Sequence, residues 1–421
     1  MAHTEDDLLK ESRRTNAEIE LFVQSSSSAV FSSKSARASA RDFSYSKGHA
    51  VRVIRSGRMG FASFEKEKEF RKSVDAALRL SRQQEKAGYF FASRARAVSR
   101  KFYDPAAADA GYSDLLANVE SMDSGHSRGV VGIVNLSGRT RTSQLLLSSE
   151  GARVSQEFSN FFAYSHCSSG GAEGDHAQSS SRPFDAGPVA RTAAAAARAM
   201  RAPVKPASGV IPVVFDARAL HSLFELFLPF HFSGESFRRK LTRLREGGRF
   251  LADGLSLLDD PRVPGSENSA EYDDEGFKTA PLPLAESGAA TNFLFDMRTA
   301  VRCGKKPGNG VRASYSSQPQ PAFTNAVVEG GRLPDAVSEC RRGVYVTSFL
   351  TSGANDVTGD FGFPLLTAFE IRNGELGRGL KGSVLRGNFF EVMRHAGFER
   401  KRERFGNLVS GRAAFRARLV S

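Results

Sequence analysis

Two groups of acids are the residues here whose type and spacing could do chemistry. Asp259-Asp260-Pro261 and, after a polar loop, Asp273-Asp274-Glu275-Gly276 put five carboxylates into two tight turns. Pro261 fixes its own φ and pushes Asp260 out of the helical region, while Gly276 is free to take positive φ. Like charges this close repel, so a fold that keeps them must supply backbone N–H groups, basic side chains, a cation or open water. With a cation, the turns would make a magnesium or calcium site. With water, they are two solvated loops, and spacing alone favours that reading. Imidazoles are the second candidate. His221 and Glu225 stand four apart and can touch on one helical face, whereas His231 lies ten residues downstream of His221 and beyond Pro229. His166, Glu173, Asp175 and His176 fall in a Gly- and Ser-rich stretch, 165–181, that reads as a mobile loop with nothing to pre-organise a metal.

The elements that must position these groups follow from hydrophobic period. A short polar helix over 4–14 precedes strands at 17–24, 28–33, 36–45 and 49–54, and Gly57 turns the last into 59–64. Phe70, Val74, Ala77, Leu78 and Ser81 repeat at helical spacing, which predicts an amphipathic helix over 65–85. A helix at 112–122 leads to alternating strands at 129–136, 140–147 and 152–164, with Leu136-Ser137-Gly138-Arg139 as the first turn. An alanine-rich helix over 188–200 and a proline-bearing linker at 201–208 close the first half. Strand 209–215 opens the second half. Asp216 caps a helix, 216–228, whose Leu220, Leu223, Phe224, Phe227 and Leu228 form one apolar stripe that Pro229 should end. A basic helix at 235–245 follows. From 289 to 420 short strands alternate with Gly, Pro and Asn, with one helix near 389–396. The expected fold class is α+β in two domains: residues 1–205 as an antiparallel sheet with helices, and 206–421 as a largely antiparallel β domain that can close into a barrel.

Composition narrows the function classes. A chain of 421 residues, 40% hydrophobic and 25% charged, is ample for two cores. The net charge of +13 comes mainly from arginines spread along the chain, without interleaved aromatics, a recognition helix or metal-finger spacing, so no nucleic-acid partner is expected. Cys167, Cys303 and Cys340 lie far apart and fit a reducing compartment without disulfide or structural zinc. The acidic N-terminus lacks the apolar core of a signal peptide, and no apolar stretch is long enough for a membrane span. The expected location is cytoplasmic.

Motif order adds a resemblance. Val51-Arg52-Val53 and Gly57-Arg58-Met59-Gly60-Phe61-Ala62-Ser63 come first, followed by the two acidic turns. Phe323-Thr324-Asn325 with Gly330-Gly331 comes next, then Thr358-Gly359-Asp360-Phe361 and Gly387-Asn388. Together these resemble the TldD/PmbA family, whose paired subunits form an intracellular metallopeptidase. In that family's catalytic subunits the helix at this place carries His-Glu-x-x-x-His. Two imidazoles bind zinc, and the glutamate is general base toward the metal-bound water. Here Ser222 follows His221, Leu226 stands five positions on, and no cysteine occurs from 398 to 421. The resemblance therefore implies the PmbA, or TldE-like, branch, with no catalytic residue, metal ligand or cofactor in this chain and zinc in a TldD-like partner subunit. The peptide-binding channel would form between the two, and the chain alone could form a homodimer. The family's old link to DNA gyrase finds nothing in these residues.

Under this resemblance Asp273, Asp274, Glu275, Gly276, Thr324, Asn325, Gly359 and Asp360 are the residues expected to border the peptide cleft. Segments near Thr324-Asn325 and Gly359-Asp360 could hold an extended peptide as an added strand, unless both are interior with their ladders full. Two other readings stand beside the subunit: a stand-alone peptide- or protein-binding module, and an enzyme using the acidic turns as a cation site.

Overall fold

In the computed structural model, which describes residues 4–35, 37–126 and 128–421 with backbone alone at 38–40, the first half is a sheet clasped by helices. Residue 36, where one expected strand begins, lies outside the described residues. The elements are α1 (Glu5–Thr15), β1 (Glu18–Lys34), β2 (Arg37–Arg55), β3 (Arg58–Phe64), α2 (Phe70–Ser81), β4 (Arg96–Ser99), α3 (Pro105–Ala108), α4 (Tyr112–Gly125), β5 (Val131–Ser148), β6 (Arg153–Ser169), β7 (Ala172–Ser180) and α5 (Gly187–Ala199). Strands run in the order β3-β2-β1-β5-β6-β4, with β7 also on β6, and all pairs are antiparallel except β4–β6. Ile19, Leu21, Val51 and Val53 bury one sheet face under Phe70, Val74 and Ala77 of α2. Phe31 and Phe161 pack under α4 and α5.

Four expectations are corrected. The strands expected at 17–24 and 28–33 are one strand, β1, and those at 36–45 and 49–54 likewise fall on one, β2. Ser25 to Ser28 pair without a break with β2 on one side and β5 on the other, because a central strand spends its N–H and C=O groups whatever its side chains are. Residues 136–139 form no turn, since β5 runs straight through them. A Cβ on Gly138 would lie 2.4 Å from the Phe162 ring, so that glycine admits a neighbour rather than reversing the chain. The 165–181 stretch is no loop either: it is the end of β6, a Gly170-Gly171 turn with both φ positive, and β7. The amphipathic helix is shorter than 65–85, a 3-10 turn at Glu67–Glu69 leading into α2.

The second half comprises β8 (Gly209–Phe215), α6 (Ala217–Phe232), α7 (Gly234–Arg238), β9 (Ser256–Asp259), β10 (Leu282–Glu286), β11 (Ala289–Ala290) and α8 (Met297–Cys303). It continues with β12 (Gly310–Val311), β13 (Gln320–Pro321), β14 (Ala326–Glu329), β15 (Arg342–Phe349), β16 (Asp360–Arg372), β17 (Glu375–Gly379) and β18 (Val384–Asn388). It ends with α9 (Phe389–Arg394), β19 (Gly397–Phe398), β20 (Glu403–Phe405), β21 (Leu408–Ser410) and β22 (Ala413–Val420). Strands β15-β8-β22-β18-β16 close on themselves, since β16 pairs back with β15. The result is a five-stranded barrel beside a second sheet, β11-β10-β9-β14-β21-β20. The α+β, two-domain class expected from the sequence is the one observed.

Helix α6 packs on β8 and β15 of the barrel and on β20 and β21 of the sheet, with Leu220, Leu223, Phe224, Phe227 and Leu228 all buried. Asp216 caps it by accepting from Ala219 N at 2.9 Å. Contrary to expectation, α6 continues past Pro229 to Phe232. Phe232 is fully buried among Phe250, Phe293 and Phe323, and that packing outweighs the hydrogen bond proline removes. The basic helix at 235–245 stops at Arg238. Lys240 takes φ +56, and Leu244 turns into the core. No helix among the described residues is long and apolar enough to cross a membrane.

Candidate functional site

The acidic turns are not open solvated loops: Asp259, Asp273 and Glu275 are buried, and Asp260 and Asp274 are half-buried. Asp259 ends β9 in full burial, where its Oδ1 accepts from Thr324 N at 2.7 Å, Thr324 Oγ1 at 2.6 Å and Asn325 N at 3.1 Å. Its Oδ2 accepts from Asn309 Nδ2 at 3.1 Å. Burial raises this acid to about 6 against the pull of those donors. Asn325 in turn donates to Asp260 O at 2.7 Å and to Ser269 Oγ at 3.1 Å, and its C=O accepts from Asp260 N at 2.8 Å. Thr324-Asn325 and Asp259-Asp260 thus form one closed knot.

The second turn is tied across the whole chain. Gly276 takes φ +80, and Asp273 Oδ1 accepts from Glu275 N at 3.0 Å and Phe277 N at 2.9 Å. Its Oδ2 accepts from Gly310 N at 3.0 Å. Burial first, and the Glu275 charge second, push Asp273 well above the carboxylate range. Asp274 Oδ2 accepts from Arg312 N at 2.7 Å, and burial raises it too. Glu275 is fully buried: one oxygen meets Arg52 Nη1, the other accepts from Met297 N at 2.6 Å. Arg52 also grips Glu20 by two bonds, Nε to Oε1 at 2.8 Å and Nη2 to Oε2 at 2.6 Å. Arg312 Nη2 reaches the same Glu20 Oε1 at 3.0 Å. Burial works against the Arg52 cation, but Glu20 and Glu275 outweigh it and its pKa rises. Burial and the neighbouring Arg52 lower Arg312 to about 10.

Sequence reasoning named Arg52 only as part of a motif and missed Glu20 and Arg312 as its partners. A signal was present: Ile19-Glu20-Leu21 and Val51-Arg52-Val53 each set one charge inside an apolar strand. Glu20 and Arg52 sit directly opposite in the β1–β2 register, hence on one face of the sheet. Two arginines meet two glutamates in a network that rivets the first half of the chain to the second. A Cβ on Gly310 would lie 2.5 Å from Glu275 Oε2, which leaves no room for an added ligand there.

The structure gathers some of the named residues and separates others. Asp273, Asp274 and Thr324 line a cavity of about 230 Å³ together with Gln144 and Phe158 of the first-half sheet, while Glu275 and Asn325 do not line it. Gly359 and Asp360 stand apart. Asp360 is exposed, accepting from Thr358 Oγ1 at 2.7 Å and Asn388 Nδ2 at 2.9 Å, bonds that lower its pKa. Neither segment offers an open strand edge. Ala326 pairs with both β9 and β21, and residues 360–364 pair with β18 while Asp360 O and Gly362 N bond to Asn355 and Gly353. At Gly359–Phe361 the ladder is full, and at Thr324-Asn325 both N–H groups go to Asp259 Oδ1 and the Asn325 C=O to Asp260 N, which leaves the added-strand idea without support from either segment.

On α6 the donors do not fit zinc. Glu225 Oε1 accepts from Asn407 Nδ2 at 2.9 Å, and the Phe405 ring meets His221 edge to face at 5.5 Å. A Cβ on Gly406 would sit 2.5 Å from His221 Nε2. The β20–β21 turn thus lies directly on the one imidazole and one carboxylate available. His231 is about 15 Å along the helix from His221 at 1.5 Å per residue. Its Nδ1 accepts from Arg243 N at 3.3 Å, its Nε2 donates to Asp356 O at 2.8 Å, and burial lowers it to about 4. Among the described residues no three His, Cys, Asp or Glu side chains converge as a metal site. This also removes support for a cation at the acidic turns, where both carboxylate oxygens of Asp259, Asp273 and Glu275 are already bonded within the protein.

Comparison with known proteins bears on this geometry. Residues 208–417 match the PmbA/TldA metallopeptidase C-terminal domain, and residues 19–81 match PmbA/TldA metallopeptidase domain 1. An uncharacterized protein of Methanocaldococcus jannaschii is 26% identical over 212 residues, 50% of each chain. A metalloprotease TldD homolog of Buchnera aphidicola is 31% identical over 193 residues, 44% of this chain and 40% of that one. These alignments span half or less of the curated relatives' length. The crystal structure of TldE from Thermococcus kodakarensis superimposes with a TM-score of 0.86 at 20% identity, covering 99% of both chains, and so shares the fold. With both family domains matched in order, and the acidic turns, the barrel and α6 placed within the matched C-terminal domain, the chain belongs to the TldD/PmbA metallopeptidase family.

Proposed function

We propose that this chain is the metal-free, TldE-like subunit of a peptidase whose zinc is carried by a TldD-like partner, and that the pair cleaves unstructured peptides in the cytoplasm. The observation that carries the reading is the α6 donor set: His221 and Glu225 lie under the Phe405–Asn407 turn, and His231 holds a loop instead. A helix that has lost its second imidazole and filled the space with a neighbouring turn keeps the family's shape without its chemistry. In this reading residues 1–205 and 206–421 are the two domains. Asp273, Asp274, Glu275, Gly276, Thr324 and Asn325 shape the wall of the shared channel, and Gly359 and Asp360 border it. The acids act through the loops they fix, as positioning residues.

The test is co-expression with a TldD-like chain from the same genome, followed by size-exclusion chromatography, zinc analysis and hydrolysis of an unfolded peptide. Activity and zinc should require the partner. A purified chain that alone holds one zinc and cleaves the peptide would overturn the reading.

A further inference from the structure

A groove of about 1400 Å³ lies on the outside of the barrel, away from the acidic knot and from α6. The linker at 204–208, β8, β15, β16 and the loop before β15 enclose it. Its floor is aliphatic: Ile211 and Leu333 are half-buried at its surface, above Val214, Ala336, Ile371 and Leu380, which are buried beneath. Its rim is basic. Lys205, Arg341, Arg342, Arg372 and Arg378 face Glu339 and Glu370, so five cations against two acids leave an excess of three positive charges. Glu370 is already shared by Arg372 at 2.8 Å and Arg378 at 3.5 Å. Lys205, Arg341 and Arg342 are exposed and, among the described residues, make no ion pair. The backbone carrying two of them is fixed, for Arg341 O accepts from Asn373 N at 2.8 Å and Cys340 O from Gly374 N at 3.1 Å. Unspent cations on a rigid rim are pre-organised for an anionic partner.

We propose that this groove takes an extended acidic segment of a partner protein, aliphatic side chains down and carboxylates to the rim. Its volume exceeds the range of about 300–1,000 Å³ usual for small ligands, which points to several residues of chain. Single-stranded nucleic acid would share the charge, but no aromatic residue lines the groove to stack a base. A second copy of this chain, at +13, does not complement the rim.

Fluorescence anisotropy of a short labelled peptide alternating Glu and Leu, titrated with the full chain, tests the proposal. Controls are the same peptide with Gln for Glu, a single-stranded oligonucleotide of equal charge, and the variant Lys205→Glu/Arg341→Glu/Arg342→Glu, checked for folding by circular dichroism. The acidic peptide should bind, weaken with salt, and bind the variant about tenfold less tightly, the product of three rim charges each contributing about twofold. Equal binding of the Gln peptide, unchanged affinity in the variant, or stronger binding of the oligonucleotide would each overturn it. So would a variant whose only change is its oligomeric state, which would assign the groove to a second copy.

Discussion

Replacing Arg52 by Met removes the cation at the centre of the buried network. Arg52 is 2% exposed and bridges Glu20 on its own sheet and Glu275 on the far side of the chain. Without it Glu20 keeps Arg312 at 3.0 Å, but Glu275 keeps only the Met297 N–H at 2.6 Å. Breaking one side of a buried pair costs about 3–5 kcal/mol. An independent ceiling agrees: a stranded glutamate can always take up a proton, at about 3.7 kcal/mol near pH 7 for an ordinary value of about 4.3. The expected loss is therefore about 3–4 kcal/mol. With no tryptophan in the chain, urea unfolding is followed by far-UV circular dichroism and tyrosine emission. Arg52→Met/Glu275→Gln supplies the control, since Gln removes the stranded charge yet keeps an oxygen for Met297 N–H, and it should recover about 1 kcal/mol or more. A single variant losing under about 1 kcal/mol, or a double variant no more stable than the single, would refute the rivet.

Further outcomes follow from other parts of the fold. Asp216 is raised by burial to about 7 from an ordinary 3.8, so the folded chain binds a proton that the unfolded chain lacks between those values. Its contribution to stability is present below about pH 4 and is lost as pH rises through 7. Asp216→Asn should flatten that limb of the stability–pH curve while keeping a cap for α6, and an unchanged slope would count against the assignment. The isolated chain should hold no stoichiometric zinc by elemental analysis, and His221→Ala should leave the zinc content of any complex unaltered. Gly138→Ala should cost about 1–3 kcal/mol in thermal or urea unfolding, because the new methyl meets the Phe162 ring at 2.4 Å and Ala29 O at 3.0 Å; a neutral result would mean the ring gives way.

Much of the architecture was legible as local period. The apolar stripe from Leu220 to Leu228 marked α6, Asp216 marked its cap, and Gly209–Phe215 was read to the residue as β8. The positive φ of Gly276 and the two-domain α+β class came the same way, and the order of short motifs carried the family. Three of the failures had one cause. Gly138, Pro229 and the serines of β1 were read by the habits of their residue types, while their fate was set by Phe162, Phe232 and the two neighbouring strands.

The acidic turns show the division most clearly. By itself the sequence determined that the turns form, because proline and glycine act on their own backbone. Only the tertiary structure decided that Asp259, Asp273 and Glu275 within them are buried and satisfied. Arg52 lies 223 residues from Glu275, and Glu20 lies 292 residues from Arg312. A carboxylate's local neighbours say that its charge must be met, and the partner that meets it is supplied by whichever distant strand the fold brings within reach.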